Sequence, residues 1–296
     1  MKIQYHYTSP EAFLSIIKNK QVRFTDIRFL NDKSEGIYLV KLMCDYFNEN
    51  KQKFPRVEEA FYNLISKNHV ESIRNLSVSK INFDTALPID KVRHFVFCMC
   101  EECDMLNMWN YYVNNGLYQG YNIGINVLDF LNTFDVEDEN LLDAFTVYYG
   151  KVLYKEQQQF IELENLFNKL EKESNFQYIG VKLKLYIDTY CAFFKHAKFE
   201  NEKEFRIVIE ISDKRIPRTD NHFVGVNNKL MEYNFCTKNG LIVPYLSVKI
   251  NKDSFSRITV SPIMEAETTQ NSIRELLKTN DFKGCKVYQS NIPIRF

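Results

Sequence analysis

The chain has 296 residues, 45% of them apolar, and its 38 Lys plus Arg balance 38 Asp plus Glu to a formal charge of zero. That balance argues against a protein that coats nucleic acid or an anionic membrane by bulk charge. The apolar share excludes collagen, coiled coil and disorder as the main architecture.

In chain order, residues 3–8 alternate and read as a strand. Ser9 as N-cap and Pro10 at the first turn open a helix with Phe13, Leu14, Ile16 and Ile17 as its apolar stripe. Residues 21–25 read as a strand, and Leu30–Glu35 has turn chemistry. Helices are expected over 35–49 and 56–76, then a loop over 77–91. Further strands are expected at 94–100, 120–127, 145–154, 203–211, 241–250, 258–261 and 286–289. Helical spacing covers 104–112, 155–174, 177–197 and 270–279.

This order predicts one α+β domain over 1–296, built on a mixed or antiparallel central sheet, with helical insertions near 40–90 and 155–197. No glycine-rich dinucleotide or phosphate loop occurs. No apolar run approaches the ~20 residues of a membrane helix. The first thirteen residues lack the apolar segment of a signal peptide. Seven cysteines, four scattered and three clustered at Cys98, Cys100 and Cys103, do not form a disulfide framework, so a reducing, cytoplasmic setting is expected.

Four places set polar residues against this pattern. His6 alternates with Tyr5 and Tyr7 and so faces the other side of its strand. It reads either as a histidine satisfied by nearby backbone or as a hydrogen-bond donor at a cleft. In the segment Arg23–Glu35, Asn31 and Asp32 read first as turn formers and caps. His94 with Cys98, Cys100 and Cys103 has no recognised zinc spacing, so no metal is expected there and the cysteines read as small buried apolar residues. Finally, an extended Glu202-Lys-Glu204-Phe-Arg206 sets Glu202, Glu204 and Arg206 on one face, with Phe205, Ile207 and Ile209 on the core face. That charged face is either solvated or a carboxylate site oriented by Arg206.

Taken together, Tyr5-His6-Tyr7-Thr8-Ser9, the Arg23-Phe-Thr and Leu30-Asn-Asp-x-x-Glu35 segments, Trp109-x-x-Tyr112, Gly120-Tyr-Asn-Ile-Gly-Ile125, the Glu202-x-Glu-x-Arg206 run and Ile258-Thr-Val-Ser-Pro262 resemble the bacterial family called domain of unknown function 2971. Cys100 stands where the family pattern has serine, and Phe199 where it has tryptophan. The arrangement also resembles the ADP-ribosyltransferases. That resemblance implies NAD as substrate, His6 on the nicotinamide ribose, Tyr7 backbone at the amide, and Trp109, Tyr111 or Tyr112 walling the pocket. It also implies Glu204 or Glu202 at the ribose hydroxyl, Arg23 or Arg28 at the pyrophosphate, and Thr8 and Arg206 beside the site.

The physics is that of an oxocarbenium-like state stabilised by a fixed carboxylate. The activity implied is ADP-ribosyl transfer to a macromolecular acceptor or NAD hydrolysis, in a toxin or phage-defence setting. Two other expectations stand beside it: a non-catalytic nucleotide-sensing or protein-interaction module, and a Mg²⁺-dependent hydrolase or nuclease using Asp26, Asp32, Glu35, Glu202 and Glu204.

Overall fold

The computed structural model describes residues 3–66, 92–113, 117–135, 145–212, 230–238 and 240–294. Strand β1 (Ile3–Thr8) leads into helix α1 (Pro10–Asn19) and strand β2 (Gln21–Asp26). Ser9 caps α1 by accepting from the Ala12 N–H, and Phe13, Ile16 and Ile17 are its buried face. Helices α2 (Tyr38–Glu49) and α3 (Pro55–Ser66) follow. The expected helix to 76 and loop over 77–91 lie beyond Ser66, outside the described residues.

Strand β3 (Val92–Cys100), helix α4 (Leu106–Tyr112), strand β4 (Tyr121–Asn126) and a short helix α5 (Val127–Leu131) come next. Asn126, the last residue of β4, also caps α5 by accepting from the Leu128 N–H, so Val127, expected at the end of the strand, starts the helix instead. Then come β5 (Thr146–Lys151), α6 (Glu156–Glu171), α7 (Phe176–Tyr190), β6 (Glu204–Ser212), β7 (Met231–Lys238), β8 (Leu241–Lys249), β9 (Phe255–Val260), α8 (Ala266–Thr279) and β10 (Lys286–Gln289).

The fold is α+β. The strands form one mixed sheet in the order β10-β9-β4-β1-β3-β2-β8-β7, with β6 also on β3 and β5 on β6. Of these pairings only β9–β10 is parallel; the others are antiparallel. Alternation sends Phe205, Ile207, Ile209 and Ile211 of β6 into the main core with Phe97, Ile123 and α1. Each such fully buried side chain contributes about 1.5–3 kcal/mol of transfer free energy. A second core joins α2, α3, α6 and α7. Those are the helices of the two expected insertions.

Two departures have physical reasons. Strand β7 was not expected, because among its residues only Met231 is buried. It is held by backbone pairing to β8 along its whole length rather than by an apolar face. The helix expected over 177–197 ends at Tyr190, because Phe194 forms an isolated parallel bridge to Leu153 and the chain straightens to make it.

Strand β3 organises the sheet. One edge pairs with β6 from Val92↔Ser212 to Cys100↔Glu204. The other edge is shared: β1 meets it at Tyr5↔Cys100, and β2 meets it at Thr25↔Val96 and Asp26↔Phe95. Between those contacts β1 and β2 diverge, and the sheet forks.

Gly120 marks a close approach at this end of β1. A Cβ there would lie 2.3 Å from Val113 Cγ1 and 2.5 Å from the Thr8 carbonyl oxygen, whereas at Gly180 in α7 nothing lies within 4 Å. Gly120→Ala should therefore destabilise by about 1–3 kcal/mol, and Gly180→Ala should stabilise by about 0.5–1 kcal/mol. Urea unfolding of the two variants checks this, and equal shifts would contradict the packing at Gly120.

Candidate functional site

The segment 191–206 builds the site. Its backbone is fixed first: Leu153 N–H donates to Phe193 O at 2.8 Å, and Lys195 N–H donates to Leu153 O at 3.1 Å. The Gln159 amide clamps the same place, donating to Leu153 O at 2.6 Å and to Lys195 O at 3.0 Å. Lys195 is thereby held inside the protein, where its side chain is fully buried. A 3₁₀ turn over Ala197–Glu202 follows, and Lys203 in the left-handed region (φ 44°) turns the chain into β6. Glu202 is thus not on the strand, as an extended reading expects. It closes the turn, and the kink still brings it and Glu204 to one cation.

That cation is Lys195, whose Nζ lies 2.6 Å from Glu202 Oε2, 2.6 Å from Glu204 Oε1 and 3.2 Å from Glu35 Oε1. Arg206 completes the cluster. Its guanidinium grips Glu35 through two bonds of 2.9 and 2.6 Å, Glu204 at 2.5 Å and the Ala192 carbonyl at 2.7 Å. Three carboxylates thus face two cations, so the cluster is neutral when it holds one proton.

Glu202 is the acid of the three whose pKa is raised towards holding that proton. Burial raises its pKa first, then the hydrogen bond and charge of Glu204, offset in part by Lys195, for a value of about 7. Burial works in the same direction on Glu204, but Arg206, a hydrogen bond from Glu202 and Lys195 outweigh it and hold Glu204 far below the usual range. Burial would lower Lys195, yet the Glu204 and Glu35 charges keep it protonated.

Glu202 borders a cleft of about 770 Å³. Tyr112 Oη donates to Glu202 Oε1 at 2.6 Å, and Asn31 Nδ2 donates to Tyr112 Oη at 2.7 Å and to Glu202 Oε1 at 3.1 Å. Phe199 and Tyr111 add aromatic surface, Lys198 and Lys238 add positive charge, and Ser9 and Glu11 at the start of α1 complete the lining. One face of Phe199 is covered by Lys195, whose Nζ lies 4.6 Å from the ring centroid.

The expected constellation is not brought together. His6 lines a different cavity, of about 230 Å³, with Thr8 and Arg23. Its Nδ1–H donates to Cys98 O at 2.9 Å, and its ring lies against Phe97 with centroids 4.6 Å apart. Phe97 packs in the main core, whereas Glu204 and Arg206 project from the opposite face of the sheet. Burial lowers the His6 pKa, partly offset by the bond to Cys98. His6 therefore behaves as a strand histidine satisfied by backbone, filling the fork where Cys98 has no partner from β1 or β2.

Trp109 does not wall a pocket. It is fully buried, donates through Nε1 to Asp104 Oδ1 at 2.7 Å and meets Tyr7 edge-on at 4.9 Å. Tyr7 is likewise core, with its hydroxyl donating to Glu102 O and accepting from Met105 N–H, each at 3.0 Å. Glu204 and Arg206 are sealed in the ion cluster rather than presented to a ligand. Of the expected site residues, Glu202, Tyr111 and Tyr112 share the cleft, and His6, Thr8 and Arg23 share the fork cavity.

The metal expectation meets paired carboxylates. Asp26 is bonded to Arg28 and Arg93, and Glu35 and Glu204 to Arg206 and Lys195, so protein cations take the places a metal ion would need. Asp32 serves its turn, accepting from Ser34 N–H at 2.8 Å and Ser34 Oγ at 2.7 Å. Among the described residues no group of three or more His, Cys, Asp or Glu is arranged for a metal ion. Cys98 is a half-buried and Cys100 a buried thiol, the latter pushed up to about 11 chiefly by burial. Lys195 was missed as a site residue, whereas Glu35 was expected only as a metal-binding carboxylate and Asn31 only as a turn former or cap. The signal at Lys195 is a lysine directly after the apolar run Cys191–Phe194.

Residues 108–207 match the family described as "Protein of unknown function (DUF2971)". This DUF2971 segment runs from α4 into β6 and carries Trp109, Tyr112, Lys195, Glu202, Glu204 and Arg206. No curated protein and no solved structure gave a match.

The retained proton has a measurable consequence. A carboxyl whose folded pKa lies above its unfolded value binds more protons when folded, so stability falls as pH rises from the unfolded value through about 7. Glu202→Gln keeps the neutral form at every pH. Its unfolding midpoint relative to wild type should rise steadily from pH 5 to pH 8, and parallel pH profiles would show that Glu202 carries no such proton.

Proposed function

We propose that the protein binds a nucleotide in the Glu202 cleft and acts as a nucleotide-sensing module. The observation that carries this reading is the cleft's division of chemistry. Its volume of about 770 Å³ suits a nucleotide-sized ligand. Phe199 and Tyr111 offer faces for a planar base. Glu202, Tyr112 and Asn31 form a hydrogen-bonded set suited to sugar hydroxyls. Lys198 and Lys238 meet phosphate charge. Seven free cysteines fit the reducing, cytoplasmic setting that goes with this reading, and no helix among the described residues is long and apolar enough to cross a membrane.

A second reading, cleavage of the nicotinamide–ribose bond of NAD in the manner of an ADP-ribosyltransferase, has one specific observation in its favour. Glu202 is a carboxyl on the wall of the cleft whose pKa of about 7 suits proton exchange at neutral pH. In this form Glu202 takes the acid's role expected of Glu204, and His6 takes no part.

Thermal unfolding across ATP, NAD, ADP-ribose and nucleosides, with nicotinamide release followed in parallel, tests both. At a hundredfold excess over Kd a true ligand should raise the Tm by roughly 5 °C. Tyr112→Phe should weaken that ligand about 5- to 10-fold by removing one hydroxyl contact. Nicotinamide release that Glu202→Gln abolishes would replace the sensing reading with the catalytic one. Silence to the whole panel would retire both.

A further inference from the structure

We propose that the fork between β1 and β2 is a second binding site, specific for a small tetrahedral oxyanion of the phosphate type and separate from the nucleotide cleft. The two cavities share no lining residue. The fork cavity, of about 230 Å³, has room for a phosphate group and a few further atoms, and no carboxylate lines it. Its one formal charge is the Arg23 guanidinium, on the face of β2 turned away from buried Val22 and Phe24.

Arg23 stacks on the Tyr245 ring, 4.9 Å from its centroid. Stacking fixes the plane of the guanidinium and leaves its N–H edge for a ligand. Among the described residues Arg23 has no carboxylate partner, and the hydroxyls of Thr8 and Thr25 make no hydrogen bond. Thr8 is 95% buried by its 5% exposure and still lines the cavity, so its unpartnered hydroxyl is a donor with no other occupation.

These donors come from the two strands that part at the fork, Thr8 from β1 and Arg23 with Thr25 from β2. The fork exists because β1 leaves the edge of β3 near Cys100 and β2 joins it at Val96. His6 keeps the gap in shape by donating to the Cys98 carbonyl that neither strand reaches. A planar carboxylate uses two oxygens in one plane, whereas donors arriving from two diverging strands suit an oxyanion with acceptors on all sides.

Inorganic phosphate, titrated into the full chain with chloride balancing ionic strength, is the probe, and ribose 5-phosphate is the second arm. Wild type and Glu202→Gln should both show a Tm rise of about 2–4 °C at phosphate well above Kd, growing with the logarithm of its concentration. Arg23→Gln should lose that rise while its own Tm stays within about 2 °C of wild type, because Arg23 is exposed and carries no ion pair. Thr8→Val, which keeps the shape of the side chain, should weaken binding several-fold and serves if Arg23→Gln folds poorly. A larger response to ribose 5-phosphate than to phosphate identifies the oxyanion as the end of a larger metabolite, and the reverse identifies it as free. A response no greater than that to chloride in both arms, or an Arg23→Gln response equal to wild type, overturns the site. Loss of nucleotide binding alone leaves it standing, since that concerns the other cavity.

Discussion

The structure depends on a buried charge balance. Lys195 and Arg206, both fully buried, gather Glu35, Glu202 and Glu204 from parts of the chain up to 171 residues apart. Charges taken out of water cost several kcal/mol each, and a cluster of this kind is tolerated only when hydrogen bonds satisfy its members. Here they do: the guanidinium spends its donors on Glu35, Glu204 and the Ala192 carbonyl, and the ammonium donates to Glu202 and Glu204 and pairs with Glu35 at 3.2 Å. The cluster therefore fixes where the loop before α2 lies against the first residues of β6. Removing either cation would leave buried carboxylates unpaired, a change of the 3–5 kcal/mol class.

The same balance sets the chemistry of the cleft. With three acids and two bases, charge balance favours one retained proton, and the raised pKa falls on Glu202, the acid that borders the cleft. Glu202 then reaches the cleft as a tuned group without any ligand having tuned it, because Glu204 and burial act on it from behind. Tyr112 and Asn31, which reach it from α4 and from the loop after β2, depend on the cluster for their geometry. Elements that look unrelated in sequence are tied to one acid.

Much of the fold was legible because alternation and helical spacing report burial directly. The face of β6 is the clearest case: Phe205, Ile207 and Ile209 point to the core as their period of two requires. The Ser9–Pro10 start of α1 was equally plain, since a cap and a pre-set φ are local properties. Strand β7 was not legible, because backbone pairing rather than apolar periodicity holds it. The site was half legible. Alternation put Glu204 and Arg206 on one face, but not the depth at which that face is covered. The covering residues, Glu35, Ala192 and Lys195, come from segments whose local patterns describe a turn and a helix end. His6 fails as a site residue for a related reason. Strand period told which way it points relative to Tyr7, but which of two cavities that direction meets is decided by the divergence of β1 from β2.

That divergence also explains how adjacent residues come to face different cavities. Thr8 lines the fork and Ser9 lines the nucleotide cleft. The chain passes from strand to helix between them, and α1 begins as the wall that parts the two spaces. Ser9 uses its hydroxyl on the Ala12 N–H, and its carbonyl accepts from Phe13, so it is occupied in holding the turn. Thr8 has no such duty. As the last residue of β1, its backbone is placed by Tyr121 of β4, and Gly120 beside it leaves no room for a side chain that would fill the corner. A hydroxyl without a partner on a residue this buried is unusual among polar groups that normally find one, and it opens on the cavity. The free hydroxyl follows from the local geometry: a capped helix start on one side, a forked sheet on the other, and a close approach of Gly120 to the Thr8 carbonyl.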